Sequence, residues 1–288
     1  MQHDRHIARD ISYAYSAQTR GGRAMIRAME SLSGRMGLIK RAKGYEDEVA
    51  AGRDFWQVMV ERYGLSLDLA GGSMENVPKD GPLILIANHP FGILDGLIMG
   101  HILSQTRGDF RILANSVFRK SPTLSSIVIP ISFDENPDAT ALNRRSIHQC
   151  ARYLRSGGAL GVFPSGTVAT SKIPLGRAAE ALWPATIAFI LKATGARVLP
   201  VFFHGSNSRL FQIGSHIHNS IRLGLYINEF RRRVDRPVSI SIGEPIDPAQ
   251  CEQFGRDVGQ LARFLRHRVM DLGGVDDAIV GKQYLRVI

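Results

Sequence analysis

Seven short apolar runs, separated by segments with helical spacing, constrain the fold of this chain more than any other feature. One of them, Leu83 to Ala87, follows Gly81-Pro82 and stops before Pro90, and a short run closed by turn residues is typical of a buried strand. The other runs are 65–69, 110–114, 127–133, 159–163, 197–203 and 238–242. Strands alternating with helices predict an α/β fold with a largely parallel central sheet flanked by helices.

The segments between these runs carry apolar residues at helical spacing. They predict helices around 94–102, from 136 to the glycine pair at 157–158, over 178–193 and 208–233, and over 254–272. Residues 1 to about 65 are predicted to be mainly helical. The chain therefore divides into a basic amphipathic helical region, 1–65, and an α/β domain, 66–288.

Composition limits the class of protein. The chain has 288 residues and 44% hydrophobic residues, enough for one large globular domain, and its two cysteines have no metal-ligand spacing, so we expect a reducing compartment and no metal site. No run approaches the ~18 apolar residues of a membrane span. The first ten residues lack the apolar core of a signal peptide. These features predict a soluble or surface-bound cytoplasmic protein.

The net charge of +10 indicates an anionic partner. Residues 20–43 hold seven basic residues and one acid, and an apolar stripe follows the same segment: Met25, Met29, Leu32, Met36 and Ile39. A basic amphipathic helix is typical of an element that lies on a membrane with anionic lipids. The alternative is a helix that packs its methionines on the main domain. Nucleic acid is not expected as a partner, because aromatic residues are not interleaved with the basic ones.

A histidine and an aspartate follow the first apolar run. His89 and Asp95 lie at the exit of a predicted central strand, where open α/β sheets tend to bind ligands. The pair could equally be a turn histidine and a helix-capping aspartate with no chemical role. No nucleotide-binding, serine-hydrolase or zinc-peptidase motif accompanies it.

Three blocks at predicted strand ends, NHPFGILD, FPSGT and LPVFFHG, occur in that order. Together they resemble the conserved blocks of the glycerolipid acyltransferase family, of the lysophosphatidic-acid-acyltransferase type, over about residues 66–245. The resemblance implies an α/β acyltransferase domain over 66–288 and a membrane-associated enzyme. It also implies that the enzyme moves a fatty acyl group from coenzyme A or acyl carrier protein to a lipid hydroxyl.

The resemblance assigns roles to individual residues. His89 would be the general base that removes the proton of the acceptor hydroxyl, Asp95 would hold its ring, and amides around Gly166 and Thr167 would stabilise the oxyanion. The donor and acceptor are expected to contact Asn88, Phe91, Gly92, Phe133, Asp134, Ser165, Gly166, Thr167, Arg144 and His204. No cofactor other than the acyl-CoA or acyl-carrier-protein co-substrate is implied.

The chain departs from the family pattern at three places. Five residues, rather than four, separate His89 from Asp95, and Gly92 could take up the extra one. Ser165 and Val168 replace the glutamate and arginine of the usual Phe-Pro-Glu-Gly-Thr-Arg block, and no arginine follows Phe133-Asp134. In the family those arginines hold the acceptor's phosphate. Either other cations replace them (Arg144, Arg145, Lys172 or Arg177), or the acceptor is a lyso-aminolipid, such as lyso-ornithine lipid.

These observations predict an O-acyltransferase that acts on a lyso-aminolipid or lysophospholipid. We expect it at the cytoplasmic face of the inner membrane, held peripherally or as a monotopic protein. Two alternatives remain open, namely a catalytically silent basic protein that binds membranes and a lipid hydrolase that uses the same histidine and aspartate.

Overall fold

Seven strands form one sheet in the computed structural model, which describes residues 12–17, 19–134 and 136–284. The strands are β1 (Ser66–Gly72), β2 (Leu83–Ala87), β3 (Phe110–Asn115), β4 (Val128–Ile131), β5 (Ala159–Val162), β6 (Arg197–Phe203) and β7 (Pro237–Ile242). Their order is β1-β7-β6-β2-β5-β3-β4, and only β6 and β7 pair antiparallel in this sheet. The predicted α/β fold with a largely parallel sheet is therefore confirmed.

Helices connect the strands and cover both faces of the sheet. The α-helices of the described residues are α1 (Arg20–Leu32), α2 (Arg35–Ala42), α3 (Tyr45–Ala50), α4 (Phe55–Arg62), α5 (Ile93–Arg107), α6 (Pro122–Ser125), α7 (Pro137–Arg155), α8 (Thr186–Thr194), α9 (Arg209–Ile217), α10 (Asn219–Arg231), α11 (Pro248–Glu252) and α12 (Val258–Leu272). Short 3-10 helices occupy Tyr13–Ser16, Met74–Asn76 and Ser116–Lys120.

Strand β2 lies at the centre and divides the core in two. Because successive side chains of a strand point to opposite faces, Leu83, Leu85 and Ala87 pack with α4, α5 and α10, whereas Ile84 and Ile86 pack with α7, α8 and α12. All five β2 residues are buried, as a central strand covered on both faces requires. The end of this strand is consequently held rigidly inside the sheet.

The predicted helix over 178–193 is wrong in its first half. The chain is irregular up to Ala185 and helical only from Thr186. In the irregular part Ala179 and Glu180 accept main-chain hydrogen bonds from Thr170 and Gly281 instead of forming helical ones, and Pro184 has no N–H to contribute to a helix. Two smaller corrections concern 127–133, where β4 ends at Ile131, and 208–233, where the extended residue His218 separates α9 from α10.

The basic amphipathic helix expected around 25–39 is also not continuous. It is two helices, α1 and α2, separated at Gly34, whose φ of +86° is a left-handed conformation that favours glycine. Met29 packs against Gly224 of α10 and Ile39 packs on the core, whereas Leu32 and Met36 are exposed. The expected stripe is therefore split, and part of it packs on the main domain.

The helices before β1 share the core beneath the sheet. Leu38, Tyr45 and Trp56 belong to the same cluster of buried residues as β2. The division at residues 65 and 66 stays a prediction, and residues 1–11 of the predicted N-terminal region lie outside the described residues. Within the described ranges, no helix has both the length and the apolar composition that crossing a membrane requires.

Candidate active site

His89 and Asp95 meet at the carboxyl end of β2. Nδ1 of His89 lies 2.9 Å from Oδ2 of Asp95, a hydrogen-bond distance, although the two atoms fall outside the angular range of a hydrogen bond. The imidazole stacks on Phe163, which follows β5, with 4.2 Å between ring centroids and 22° between planes. The His89 side chain is 18% exposed and that of Asp95 is 0% exposed. An aromatic ring and a buried carboxylate thus fix the orientation of this histidine.

Asp95 also caps helix α5. It is the third residue of the helix, and its Oδ2 accepts hydrogen bonds from the main-chain N–H groups of Phe91 (2.8 Å) and Gly92 (3.0 Å). Gly92 has a φ of +93° and a ψ of −114°, which residues with a side chain rarely adopt. Asp95 is therefore a helix cap, as one interpretation of the sequence predicted, and it also contacts His89.

A cavity of about 1810 Å³ opens beside the histidine. Its wall includes His89, the segment after β5, the segment after β4 and helix α10. Much of the rest is apolar, with Trp56, Met59, Leu97 and Ile190 among the lining residues. The volume exceeds the ~300–1,000 Å³ of most small-molecule pockets and suits a long apolar ligand.

The cavity brings together most of the residues selected from the sequence. Besides His89, its wall includes Gly92, Phe133, Asp134, Arg144, Ser165, Gly166 and Thr167. These residues come from the ends of β2, β4 and β5 and from α7, which follows β4. Because the three strands are parallel, their carboxyl ends meet at one edge of the sheet, as expected.

Asn88 and Phe91 do not belong to that wall. Asn88 ties β2 to β6, since its Nδ2 donates to the carbonyl oxygen of Phe203 (2.9 Å) and its Oδ1 accepts from the N–H of Phe203 (2.7 Å). Phe91 is buried under the guanidinium of Arg233, 4.1 Å from its ring centroid. Both residues support the loop that carries His89, so their predicted contact with substrate is not supported by their positions.

His204 lies away from the cavity as well. It follows Phe203, which faces the side of the sheet that carries the His89 and Phe163 rings, so its own side chain points to the other side. There its Nε2 lies 2.8 Å from Oγ of Ser241, and its ring contacts Phe202. This arrangement is that of a structural histidine.

The FPSGT turn offers fewer free amides than expected. The N–H of Gly166 donates to the carbonyl oxygen of Phe163 at 2.9 Å, so it is not available to an oxyanion. The hydroxyl of Ser165 donates to the carbonyl oxygen of Thr167 at 3.0 Å. Among the described residues no acceptor bonds the N–H of Thr167 or Val168. Of the two amides expected as oxyanion donors, the N–H of Gly166 is therefore occupied, and that of Thr167 is free within the described part of the chain.

Sequence reasoning missed Glu180. This residue comes from the irregular segment after Gly176, is 4% exposed, and accepts hydrogen bonds from the main-chain N–H of His89 (3.1 Å) and Nε1 of Trp183 (3.2 Å). Burial raises the pKa of its carboxyl group above the ordinary value of 4.5, and the neighbouring Ser165 hydroxyl and the N–H of His89 oppose that rise. A carboxylate from another segment thus lies beside Ser165 and the main chain of His89. The only sequence signal is a lone acid in the apolar stretch 178–183.

A second missed residue is Arg222, on α10. Its Nη2 donates to Oγ1 of Thr167 (2.8 Å) and to the carbonyl oxygen of Val168 (3.0 Å), and it lines the cavity. Of the four cations predicted to replace the missing arginines, only Arg144 is in the cavity wall, whereas Lys172 and Arg177 line a separate small pocket. A lone arginine in a helix with apolar neighbours was the available signal.

In the part of the chain that the structure describes, no group of three His, Cys, Asp or Glu side chains is arranged to hold a metal ion. The chain has a second histidine–aspartate contact, Nδ1 of His267 with Oδ2 of Asp277 at 3.0 Å, but it is exposed on α12 and outside the cavity wall. The contact alone does not make a site. The cavity beside His89 distinguishes the two pairs.

The chain is similar to known acyltransferases. A sequence model of the Acyltransferase family matches residues 72–204, which span His89, Asp95 and the FPSGT turn. The chain is 27% identical over 226 residues to a lyso-glycine lipid O-acyltransferase of Phocaeicola vulgatus, covering 72% of this chain and 77% of that protein. It is 24% identical over 232 residues to the Bacteroides thetaiotaomicron protein of the same name, covering 74% and 81%. The crystal structure of the 1-acyl-sn-glycerophosphate (LPA) acyltransferase PlsC from Thermotoga maritima superposes with a TM-score of 0.45 and 19% identity, over 92% of this chain and 86% of that one.

Proposed function

Because residues 72–204 match the Acyltransferase family, we propose that this chain transfers a fatty acyl group from a thioester donor to the hydroxyl of a lyso-lipid, with His89 as the general base. The observation that carries the proposal is the placement of His89 in the wall of a large, mostly apolar cavity with Asp95 buried behind its ring. The two relatives named lyso-glycine lipid O-acyltransferase favour an amino-acid lyso-lipid as the acceptor.

The geometry at His89 suits base catalysis. Because Nδ1 faces the buried carboxylate of Asp95, Nε2 is the ring atom left for the substrate. The acceptor hydroxyl gives its proton to Nε2 while its oxygen attacks the carbonyl carbon of the thioester. Asp95 stabilises the imidazolium that forms. The carbon–sulfur bond then breaks, the thiolate takes the proton from the imidazolium, and the products are an ester and a free thiol.

The tetrahedral intermediate carries a negative charge on oxygen. We assign its stabilisation to the N–H groups of Thr167 and Val168, which follow the turn after β5 and have no protein acceptor among the described residues. The hydrogen bonds from Arg222 to the side chain of Thr167 and the carbonyl of Val168 hold this segment. No nucleophile from the protein is needed, since the acceptor attacks the thioester directly.

Two exposed aromatic residues in the cavity wall support a location at a membrane surface. Phe133 is 36% exposed and Phe189 is 58% exposed, although both line the cavity. Exposed apolar groups at the entrance of a site for lipids favour docking on a bilayer, and the net charge of +10 favours anionic lipids. We propose peripheral attachment at the cytoplasmic face of the inner membrane, with acyl-CoA or acyl carrier protein as the donor.

The test is transfer of a labelled acyl group by purified protein in detergent. Acyl-CoA and acyl carrier protein are offered as donors, and lyso-glycine lipid, lyso-ornithine lipid and lysophosphatidic acid as separate acceptors. We expect transfer to an amino-acid lyso-lipid and a loss of about 10²–10⁴-fold in His89→Ala. His267→Ala is the matched control, because it also removes a histidine in contact with an aspartate, and it should keep full activity.

Two results would contradict the proposal. Release of free fatty acid without transfer to any acceptor would indicate a hydrolase that uses the same base. Absence of any turnover with every donor and acceptor, together with binding to anionic vesicles, would indicate a silent membrane-binding protein.

A further inference from the structure

Arg222 is a buried cation in the wall of the cavity. Its side chain is held by Thr167 and Val168, is 5% exposed, and lies with its guanidinium carbon 3.8 Å from the ring centroid of Tyr284. The rings of Phe211 and Tyr226 lie at 5.9 and 5.8 Å. The guanidinium is thus fixed on several sides and cannot swing out to solvent as a surface arginine does.

No acidic side chain pairs with this guanidinium among the described residues. None of their ion pairs includes Arg222, and its buried Nε has no hydrogen-bond partner there. Glu30, on the neighbouring helix α1, is engaged by Ser12, by the N–H of Tyr13 and by Arg35. Burial of a charge without a counterion is costly, so an unpaired guanidinium in a ligand cavity indicates an anionic ligand.

Neutral hydroxyl groups surround the same end of the cavity. Burial raises the pKa of Tyr13 and of Tyr226 above the ordinary value of 10.0, so both phenols stay protonated and can donate hydrogen bonds. The ring of Tyr226 also faces Gly92, the residue just before the helix of Asp95. One positive charge with neutral donors matches a ligand group of one negative charge, whereas a phosphate monoester carries up to two at neutral pH.

A short series of hydrogen bonds connects Arg222 to His89, the proposed base. Arg222 bonds Thr167 and Val168, and the next residue, Ala169, donates its N–H to the carbonyl oxygen of His89 at 2.7 Å. An acceptor whose hydroxyl reaches His89 would therefore have its polar end near Arg222. The two residues define the two ends of an acceptor subsite.

We propose that Arg222 binds the carboxylate of the acceptor, an N-acylated amino acid, and so selects amino-acid lyso-lipids over lysophosphatidic acid. This assignment rests on the proposed function, because it names the acceptor of that same site. In this chain no arginine directly follows the FPSGT block or the Phe133-Asp134 pair. A cation from a different helix takes the place beside the FPSGT turn, with room for a different anion.

The test measures binding without transfer. N-octanoylglycine carries the carboxylate but no hydroxyl to acylate, its methyl ester has no charge, and octyl phosphate carries the alternative anion. Binding of each below its micelle concentration is measured by titration calorimetry. We expect wild type to bind N-octanoylglycine more tightly than either analogue, and Arg222→Gln to lose about 10- to 100-fold for the carboxylate alone.

Two further variants keep the test independent of folding. Arg222→Lys retains the charge without the two-pronged geometry, and we expect it to recover part of the carboxylate affinity. Arg231→Gln makes the same change at the last residue of α10, outside the cavity wall. We expect this variant to bind all three ligands as wild type does. Thermal unfolding of each variant shows whether the segment after β5 is still held.

The outcomes separate this proposal from the proposed function. Carboxylate binding that depends on Arg222 would support the assignment even if no acyl transfer were found. Tighter binding of octyl phosphate than of N-octanoylglycine would overturn the choice of carboxylate. Equal loss for all three ligands in both Arg222 variants would overturn the proposal and leave Arg222 a structural residue of the turn.

Discussion

Oδ2 of Asp95 accepts two main-chain hydrogen bonds, from Phe91 and Gly92, and the same oxygen lies 2.9 Å from Nδ1 of His89. The carboxylate therefore shapes the loop after β2 and orients the imidazole at once. Its position in the first turn of α5 also places it at the positive end of the helix dipole, where an acidic side chain stabilises the helix.

We predict that Asp95→Asn separates these two roles. An asparagine oxygen can still accept the two amides, so the free energy of unfolding should change by only about 1 kcal/mol. The charge that stabilises the imidazolium is lost, so kcat should fall by about 10²–10⁴-fold. Steady-state acyl transfer and urea unfolding of the same preparation measure both. A variant that keeps kcat within about threefold of wild type would show that Asp95 acts only as a cap.

Glu180 gives the protein a pH dependence of stability. Its pKa is raised by burial in the folded protein, so its contribution to stability is fully present below its ordinary pKa of 4.5 and is lost as the pH rises through the folded value. Glu180→Gln cannot ionise but gives up a hydrogen bond to His89 or Trp183. We predict that the variant is less stable than wild type at about pH 5 and that the gap narrows by about pH 8.

Urea unfolding at several pH values measures that gap for Glu180→Gln. Glu252→Gln, at an exposed position, controls for the loss of one carboxylate. A gap that widens with rising pH would mean that the hydrogen bonds from His89 and Trp183 outweigh burial, which would contradict the assigned direction of the pKa shift.

Two glycines of α5 make a matched pair for packing. A Cβ on Gly100 would lie 2.2–2.4 Å from three atoms of the Trp56 ring, whereas one on Gly96, a turn earlier, would meet nothing within 4 Å. We predict that Gly100→Ala lowers the free energy of unfolding by about 1–3 kcal/mol through overpacking. Gly96→Ala should leave it unchanged or raise it by about 0.5–1 kcal/mol, as alanine does in a helix. Equal effects on urea midpoints would show that Trp56 moves freely.

The exposed phenylalanines of the cavity wall should contribute to membrane binding. We predict that the double substitution Phe133→Ser and Phe189→Ser weakens binding to phosphatidylglycerol–phosphatidylcholine vesicles by about 10-fold or more, because two part-exposed apolar side chains no longer enter the bilayer. Leu69→Ser is the control, since Leu69 is 42% exposed on β1, at the opposite edge of the sheet from β4. Sedimentation with vesicles compares the three proteins. The same loss in Leu69→Ser would mean that no particular surface docks.

Much of this protein was determined by local sequence. Apolar runs and the turn residues that close them were sufficient to predict all seven strands. Both features of a buried strand can be recognised from residues that are neighbours in the sequence. The contact of His89 with Asp95 could also be predicted from local sequence. The two residues are only six positions apart, and one turn and the start of a helix lie between them. The same reasoning failed at 178–185, where apolar residues are buried by an irregular segment that bonds to Thr170 and Gly281.

Only the tertiary structure decided which other residues share the site. Glu180 and Arg222 reach the FPSGT turn from segments roughly 15 and 55 positions later in the chain, and His204, at a strand end like the others, points to the opposite face of the sheet. Local patterns carry no information on such contacts, because they arise when distant helices pack on the sheet. The sequence by itself determined the strands and the contact of His89 with Asp95. Packing decided which carboxylate and which cation complete the cavity.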